Sequence, residues 1–138
     1  MNRCLTITAV VLLTALASTV AFAKRSAPVE VVAVRHGGLE YRVQHHAGNG
    51  YLPGFVEAWD IAKNGQVWFR QIYVIRRDPE LEGDVQDVFI TSLKLIADRN
   101  VLEITHERNG VFELSLNSLE VKTIKGQAVI QKKTDTSS

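Results

Sequence analysis

Apolar residues recur at every second place in short runs, and Gly37-Gly38, Lys63-Asn64-Gly65 and Arg108-Asn109-Gly110 interrupt those runs. A period of two sends alternate side chains to opposite faces, which suits a strand and not a helix. Gly and Asn tolerate the left-handed backbone that tight hairpin turns need. No window between Val29 and Ile124 keeps helical spacing for long. The chain is therefore constrained to antiparallel hairpins, and the register of each hairpin decides which side chains meet.

A two-residue turn at Gly37-Gly38 pairs Val34 with Tyr41 and Arg35 with Glu40. Val32, Val34, Tyr41 and Val43 then share one face, and Ala33, Arg35, Glu40, Arg42 and Gln44 share the other. In the second hairpin, a three-residue turn with Gly65 left-handed predicts Ile61 opposite Val67, Trp59 opposite Phe69 and Phe55 opposite Tyr73. The run from Val67 to Ile75 is apolar on both faces, which places it centrally in a sheet. The third unit is a meander of Ser92–Ile96, Val101–Glu107 and Val111–Asn117. A three-residue turn there, with Gly110 as the left-handed bulge residue, pairs Leu102 with Leu116, Ile104 with Leu114 and His106 with Phe112. That choice gathers these side chains with Leu93 and Leu95 on one apolar face. Val85 to Thr91 reads as a helical turn or an irregular strand. The expectation is an all-β domain, a small antiparallel meander of about seven or eight strands closing as a barrel or a sandwich.

Before this domain, Met1 to Ala23 has the form of a secretory signal peptide. Arg3 supplies the positive start, Leu5 to Leu16 the apolar run, and Ala21-Phe22-Ala23 the small-x-small cleavage site. Lys24 and Arg25 follow on the far side, where positive charge disfavours an uncleaved anchor. Cleavage after Ala23 removes the sole cysteine, Cys4, and leaves 115 residues with 15 basic and 15 acidic side chains. Disulfides, thiol nucleophiles and cysteine-ligated metals are then excluded, and the balanced charge argues against a nucleic-acid partner. The expected divisions are a signal peptide at 1–23, a β domain at 24–124 and a polar, weakly structured tail at 125–138. The expected location is periplasmic or secreted, with no stable membrane anchor after cleavage.

Candidate chemistry is sparse. His45 and His46 are adjacent on a strand and point to opposite faces, so they do not ligate one metal together. A zinc site would need them to converge with His36 or another ligand from a different hairpin. Asp78, Glu80, Glu82 and Gly83 match the first, third, fifth and sixth places of an EF-hand loop. Pro79 at the second place and Phe89 at the twelfth break that match. No Gly-x-Ser-x-Gly elbow or glycine-rich phosphate loop is present. The segment His45 to Gly54, with Gly48, Asn49, Gly50, Tyr51 and Pro53, is a glycine- and tyrosine-bearing loop of the kind that carries binding. Trp59, Trp68, Phe69 and Tyr73 form either a binding platform or core, and core is favoured because few other large residues exist to fill an interior. The ligand-binding candidates are Tyr51, Trp59, Trp68 and His45, with no catalytic residue, metal or cofactor.

Val56-Glu57-Ala58-Trp59-Asp60-Ile61-Ala62-Lys63-Asn64-Gly65-Gln66-Val67-Trp68 resembles one strand–turn–strand unit of the quinoprotein-type β-propeller repeat. Phe112 to Val121 is similar to a second, degraded copy, with Ser115 in the place of the Asp and Leu119 in the place of the Gly. A full propeller needs about four blades of four strands, and this chain is long enough for about two. The resemblance implies blade-like hairpins and carries over no cofactor residue. Gly54 to Val121 also resembles small secreted bacterial β-proteins with the same Trp-Asp, Asp-Val-Gln-Asp-Val-Phe-Ile and Asn-Gly arrangement, which implies a shared fold and export but no activity.

Together these readings predict a non-catalytic binding module that recognises a protein or envelope component through hairpin loops or an exposed strand edge. Inhibition of a cell-wall enzyme is one form of that role. The alternatives are a small metal-dependent hydrolase using His36, His45, His46 or the acidic loop, and a structural subunit of an envelope complex tethered by the charged tail.

Overall fold

The computed structural model describes residues 25–47 and 50–131, without the side chains of residues 46, 47, 50 and 51. The leader, Gly48, Asn49 and residues 132–138 lie outside the described residues. Strands are β1 (Val34–His36), β2 (Leu39–Val43), β3 (His46–Ala47), β4 (Gly50–Tyr51), β5 (Phe55–Asp60) and β6 (Gly65–Gln71). They continue as β7 (Val74–Arg76), β8 (Ile90–Ile96), β9 (Val101–His106), β10 (Val111–Ser115), β11 (Val121–Lys125) and β12 (Val129–Gln131). Single 3-10 turns cover Asp84–Gln86 and Ala97–Arg99. No α-helix occurs among the described residues, and none of their helical segments is long and apolar enough to cross a membrane.

The fold is all-β. Two four-stranded antiparallel meanders, β1-β2-β5-β6 and β8-β9-β10-β11, are accompanied by an antiparallel ribbon, β3-β4, and a parallel pair, β7-β12. Among the described residues no ladder joins these sheets into a closed barrel. The parallel pair departs from the wholly antiparallel expectation.

The first hairpin keeps its predicted register, with Val34 opposite Tyr41 and Arg35 opposite Glu40. The second does not. Phe55 pairs with Gln71, Glu57 with Phe69 and Ala58 with Trp68, and a bulge then brings Trp59 opposite Gln66. The turn residue with positive φ is Asn64, at 50°, rather than Gly65. Asp60 Oδ1 accepts a hydrogen bond from the Lys63 amide at 2.9 Å, and the turn closes at Asp60 and Gly65 around four residues instead of three. Packing supplies a further reason. Ala58 lies opposite Tyr41, and Val56 opposite Val43, so β5 gives small side chains to the interior where β2 gives a large one. Phe55, Trp59 and Phe69 are thereby left on the outer face. Nor is β6 central: it is an edge, and the chain leaves the sheet at Ile72 and Tyr73, both of which are buried.

The meander β8-β9-β10 is also displaced by two places, pairing Phe112 with Ile104 and Leu114 with Leu102. An even shift preserves the faces. Leu102, Ile104, Phe112 and Leu114 are fully buried, as the alternation predicts, and His106 joins them. Each apolar side chain buried in this way contributes about 1.5–3 kcal/mol. Asn109, at φ 60°, is the left-handed residue here, not Gly110. What Gly110 provides is room, because a Cβ there would lie 2.1 Å from His106 Nε2.

One core unites both meanders, with Tyr41, Val56 and Ala58 from one and Leu102, Ile104, Phe112 and Leu114 from the other. Tyr73 lies between them. Its ring stacks on Phe112 at 5.5 Å, and its hydroxyl donates to the Val88 carbonyl at 2.5 Å. Burial, with Glu107 and Asp87 nearby, raises the Tyr73 phenol well above its ordinary range. The segment from residue 125, expected to be a weakly structured polar tail, supplies β12. Val129 pairs with Val74, and Ile130 enters the core with 7% of its surface exposed.

Candidate functional site

The most developed surface is the outer face of the first meander. Alternation sends Glu40 and Arg42 of β2, Phe55, Glu57 and Trp59 of β5, and Phe69 of β6 outward, opposite to the buried Tyr41, Val56 and Ala58. Glu57 is only 1% exposed although it belongs to this outer face. Its two oxygens are satisfied separately, Oε1 by Arg42 Nε and Oε2 by Gln66 Nε2, each at 2.7 Å. Arg42 also lies over the Trp59 ring, 4.2 Å from its centroid, and approaches Glu40 at 3.7 Å. Arg35 donates to the other Glu40 oxygen at 2.7 Å. The indole of Trp59 donates to Asn64 Oδ1 at 3.2 Å. Beside this ladder Phe55 and Phe69 stack at 4.7 Å with 10° between their planes.

This face combines a ladder of fixed charges with partly exposed aromatic area. Glu57 has both oxygens committed, and the acid that shares its arginine, Glu40, is itself bonded to Arg35. A flat aromatic pair and a fixed guanidinium–indole contact present apolar area with little rotamer freedom left to lose. The neighbouring edge adds backbone donors and acceptors. Val67 and Phe69 on β6 are 52% and 39% exposed.

The sequence-predicted residues do not converge. Trp59 is on the outer face, but Trp68 faces inward, packed on the core with its ring 5.8 Å from Tyr41. The four aromatics weighed together as platform or core thus divide, with Trp68 and Tyr73 inside and Trp59 and Phe69 outside. His45 makes an edge-on contact with the Phe89 ring at 5.5 Å. Tyr51 pairs with His46 through β4 and β3, and its side chain lies outside the described residues.

His36 ends β1 at the hairpin turn, while His106 is in the core. Among the described residues no three His, Cys, Asp or Glu side chains gather as a metal site. His106 Nδ1 accepts from the Arg108 and Gly110 amides at 3.1 and 3.3 Å. Burial holds its imidazole below the ordinary value, outweighing the backbone hydrogen bond that acts the other way. The acidic loop is closed by a side chain. Gln86 Oε1 accepts from the Asp78 amide at 2.6 Å, and Gln86 Nε2 donates to the carbonyls of Asp78, Leu81 and Glu82 at 3.0–3.3 Å. Carbonyls of the kind that would face a cation in an EF-hand loop therefore face an amide nitrogen here. Arg77 fastens the loop further through the Gly83 carbonyl and Asp87.

Neither the Glu57–Arg42 pair nor the Gln86 hub was apparent from sequence. Glu57 reads as a polar exception in an apolar face, and only the register between β2 and β5, with Arg42 opposite Glu57, turns it into half of an ion pair. No protein-family model and no curated protein matches this chain.

Proposed function

We propose that this protein is a non-catalytic binding module, exported to the periplasm or beyond, that captures an extended segment of a partner protein along β6. The observation that carries this reading is the character of that edge. β6 runs for seven residues with no Lys or Pro and exposes Val67 and Phe69; its one bulge, at Val67, and its one charge, Arg70, leave Trp68–Gln71 in regular pairing along the edge. Natural edges are usually guarded against pairing by shortness, lysine, proline or bulges. The other three outer strands of the two four-stranded sheets are guarded more heavily: β1 has three residues, β8 carries Lys94 and a bulge near Ile90, and β11 carries Lys122 and Lys125. An added strand on β6 would gain ladder hydrogen bonds, and its alternate side chains would reach the Phe55–Phe69 stack. Inhibition of a cell-wall enzyme is one outcome of such capture.

We read the architecture as a sandwich, since both meanders feed one interior and their edges stay open. The likeness to quinoprotein-type hairpins we take as one of turn construction. Asp60 and Ser115 each accept, through a side-chain oxygen, the amide three residues on, at 2.9 and 3.2 Å.

Site-specific photo-crosslinking in the producing cell tests the reading. A photoreactive residue at position 67 is expected to give one stoichiometric protein adduct. The same residue at position 123 on β11 gives none, and Phe69→Lys removes the adduct from position 67. Equal labelling at both positions, or no adduct at either, refutes it.

A further inference from the structure

We propose that a second, separate site in this protein binds a small organic anion with an apolar body. The site is a partly enclosed cavity of about 170 Å³ where β7 and β12 meet the acidic loop. Ile75, Leu81, Val85 and Ile130 supply its apolar wall, and Arg76 and Arg108 supply its charge. A dry apolar cavity of about 150 Å³ accepts a benzene ring, so this space admits one aromatic ring or a short aliphatic chain.

The charge selects the ligand class. Five of the eight arginines among the described residues pair with a carboxylate. Arg76 and Arg108 do not, although Arg77, next in the chain, is held by Asp87. Two arginines without an ion-pair partner among the described residues, both lining one apolar space, suit a carboxylate over a neutral or cationic guest, since a guanidinium can grip a carboxylate with two parallel hydrogen bonds. The walls are well founded. Gln86 anchors the loop that carries Leu81 and Val85, and the parallel ladder fixes Ile75 beside Ile130. Residues 132–138 continue from Gln131 at the cavity wall, but they include no apolar side chain and begin with two lysines. By composition they do not supply an occupant for an apolar space.

Titration of the isotopically labelled protein with benzoate, followed by amide chemical shifts, is the test. Saturable shifts are expected at Ile75, Leu81, Val85 and Ile130, with Kd at or below about 1 mM for so small a ligand. Benzyl alcohol, with the same ring and no charge, is expected to bind at least about tenfold more weakly. Arg76→Gln and Arg108→Gln each weaken benzoate by about tenfold with unchanged thermal midpoints, since both side chains are exposed. Val85→Trp, at a half-exposed wall position, blocks binding and leaves the fold intact. Benzyl alcohol binding as tightly as benzoate would overturn the proposal, as would displacement of benzoate by inorganic phosphate alone. So would absence of saturation below about 10 mM. A large gain in benzoate affinity on truncation after Gln131 would make the tail the natural occupant and equally overturn it. Because β6 is not part of this cavity, failure here leaves the edge-binding reading standing, and the converse holds.

Discussion

Gly110→Ala isolates a single steric contact in the core. Backbone strain is not the issue, because the left-handed residue of this turn is Asn109. The added methyl would lie 2.1 Å from His106 Nε2 and 2.5 Å from Cε1, well inside contact distance, so the ring must move by more than an ångström. It has nowhere to go without loss. Tyr73 lies edge-on to it at 5.1 Å, Phe112 lies 5.8 Å away, and Nδ1 is held by two amides. Overpacking of this kind costs about 1–3 kcal/mol, and weakening the two hydrogen bonds adds about 1 kcal/mol. The expected destabilisation is about 3 kcal/mol. His106→Ala costs a similar amount through the cavity it leaves, about 3 kcal/mol. The double variant is then decisive. With the imidazole gone, the methyl introduced by Gly110→Ala enters vacated space, and its additional cost falls to about 0.5 kcal/mol or less. A coupling energy of about 2.5 kcal/mol follows, within the range measured for residues in contact. Urea unfolding followed by tryptophan fluorescence measures all four corners of the cycle. An equal cost of Gly110→Ala in both backgrounds would refute the reasoning, since it would trace the effect to the backbone and not to the ring.

Two further outcomes are expected. His106 is neutral in both folded and unfolded chains above its unfolded value of about 6.5. Below that, the unfolded chain takes a proton that burial denies to the folded one, so stability falls with pH until the depressed folded value is passed. The slope contributed by this one group is at most about 1.4 kcal/mol per pH unit. His106→Gln should flatten it in urea midpoints measured from about pH 7.5 to 5.5, a window spanning the unfolded value, and an unchanged slope would assign the acid sensitivity to other groups. Ile130→Ala should cost about 2–4 kcal/mol although it lies in the C-terminal segment. Lys125→Ala, exposed on β11, should stay within about 0.5 kcal/mol. Comparable thermal midpoints for the two would show that β12 does not dock as described.

The hairpins were legible because short-range turn chemistry and period-two alternation are local properties. Gly37-Gly38 stands alone between two regular strands, and there the register is right to the residue. The other two turns each contain Asn before Gly, and both residues accept a left-handed backbone. Neighbouring side chains decided between them: Asp60 bonds the Lys63 amide in one, and His106 bonds the Gly110 amide in the other. The error was even in the β9–β10 hairpin, so the buried face survived it. In the β5–β6 hairpin the choice of interior face failed, because Tyr41 on a non-adjacent part of the chain determines that β5 turns Ala58 and Val56 inward. The candidate surface shared that fate. Its central ion pair links Arg42 to Glu57 across two strands whose pairing no local signal announces.

From sequence alone follow the all-β class, the places of three hairpin turns and the apolar stripe Leu102-Ile104-Phe112-Leu114, since alternation and turn residues act over a few neighbouring positions. Only the tertiary structure decided that β6 is an edge, that Trp59 and Trp68 part company, and that Ile130 returns from the end of the chain to pair beside Ile75. Those outcomes depend on which distant surfaces exclude water together, and burial is a property of the assembled fold rather than of any segment within it.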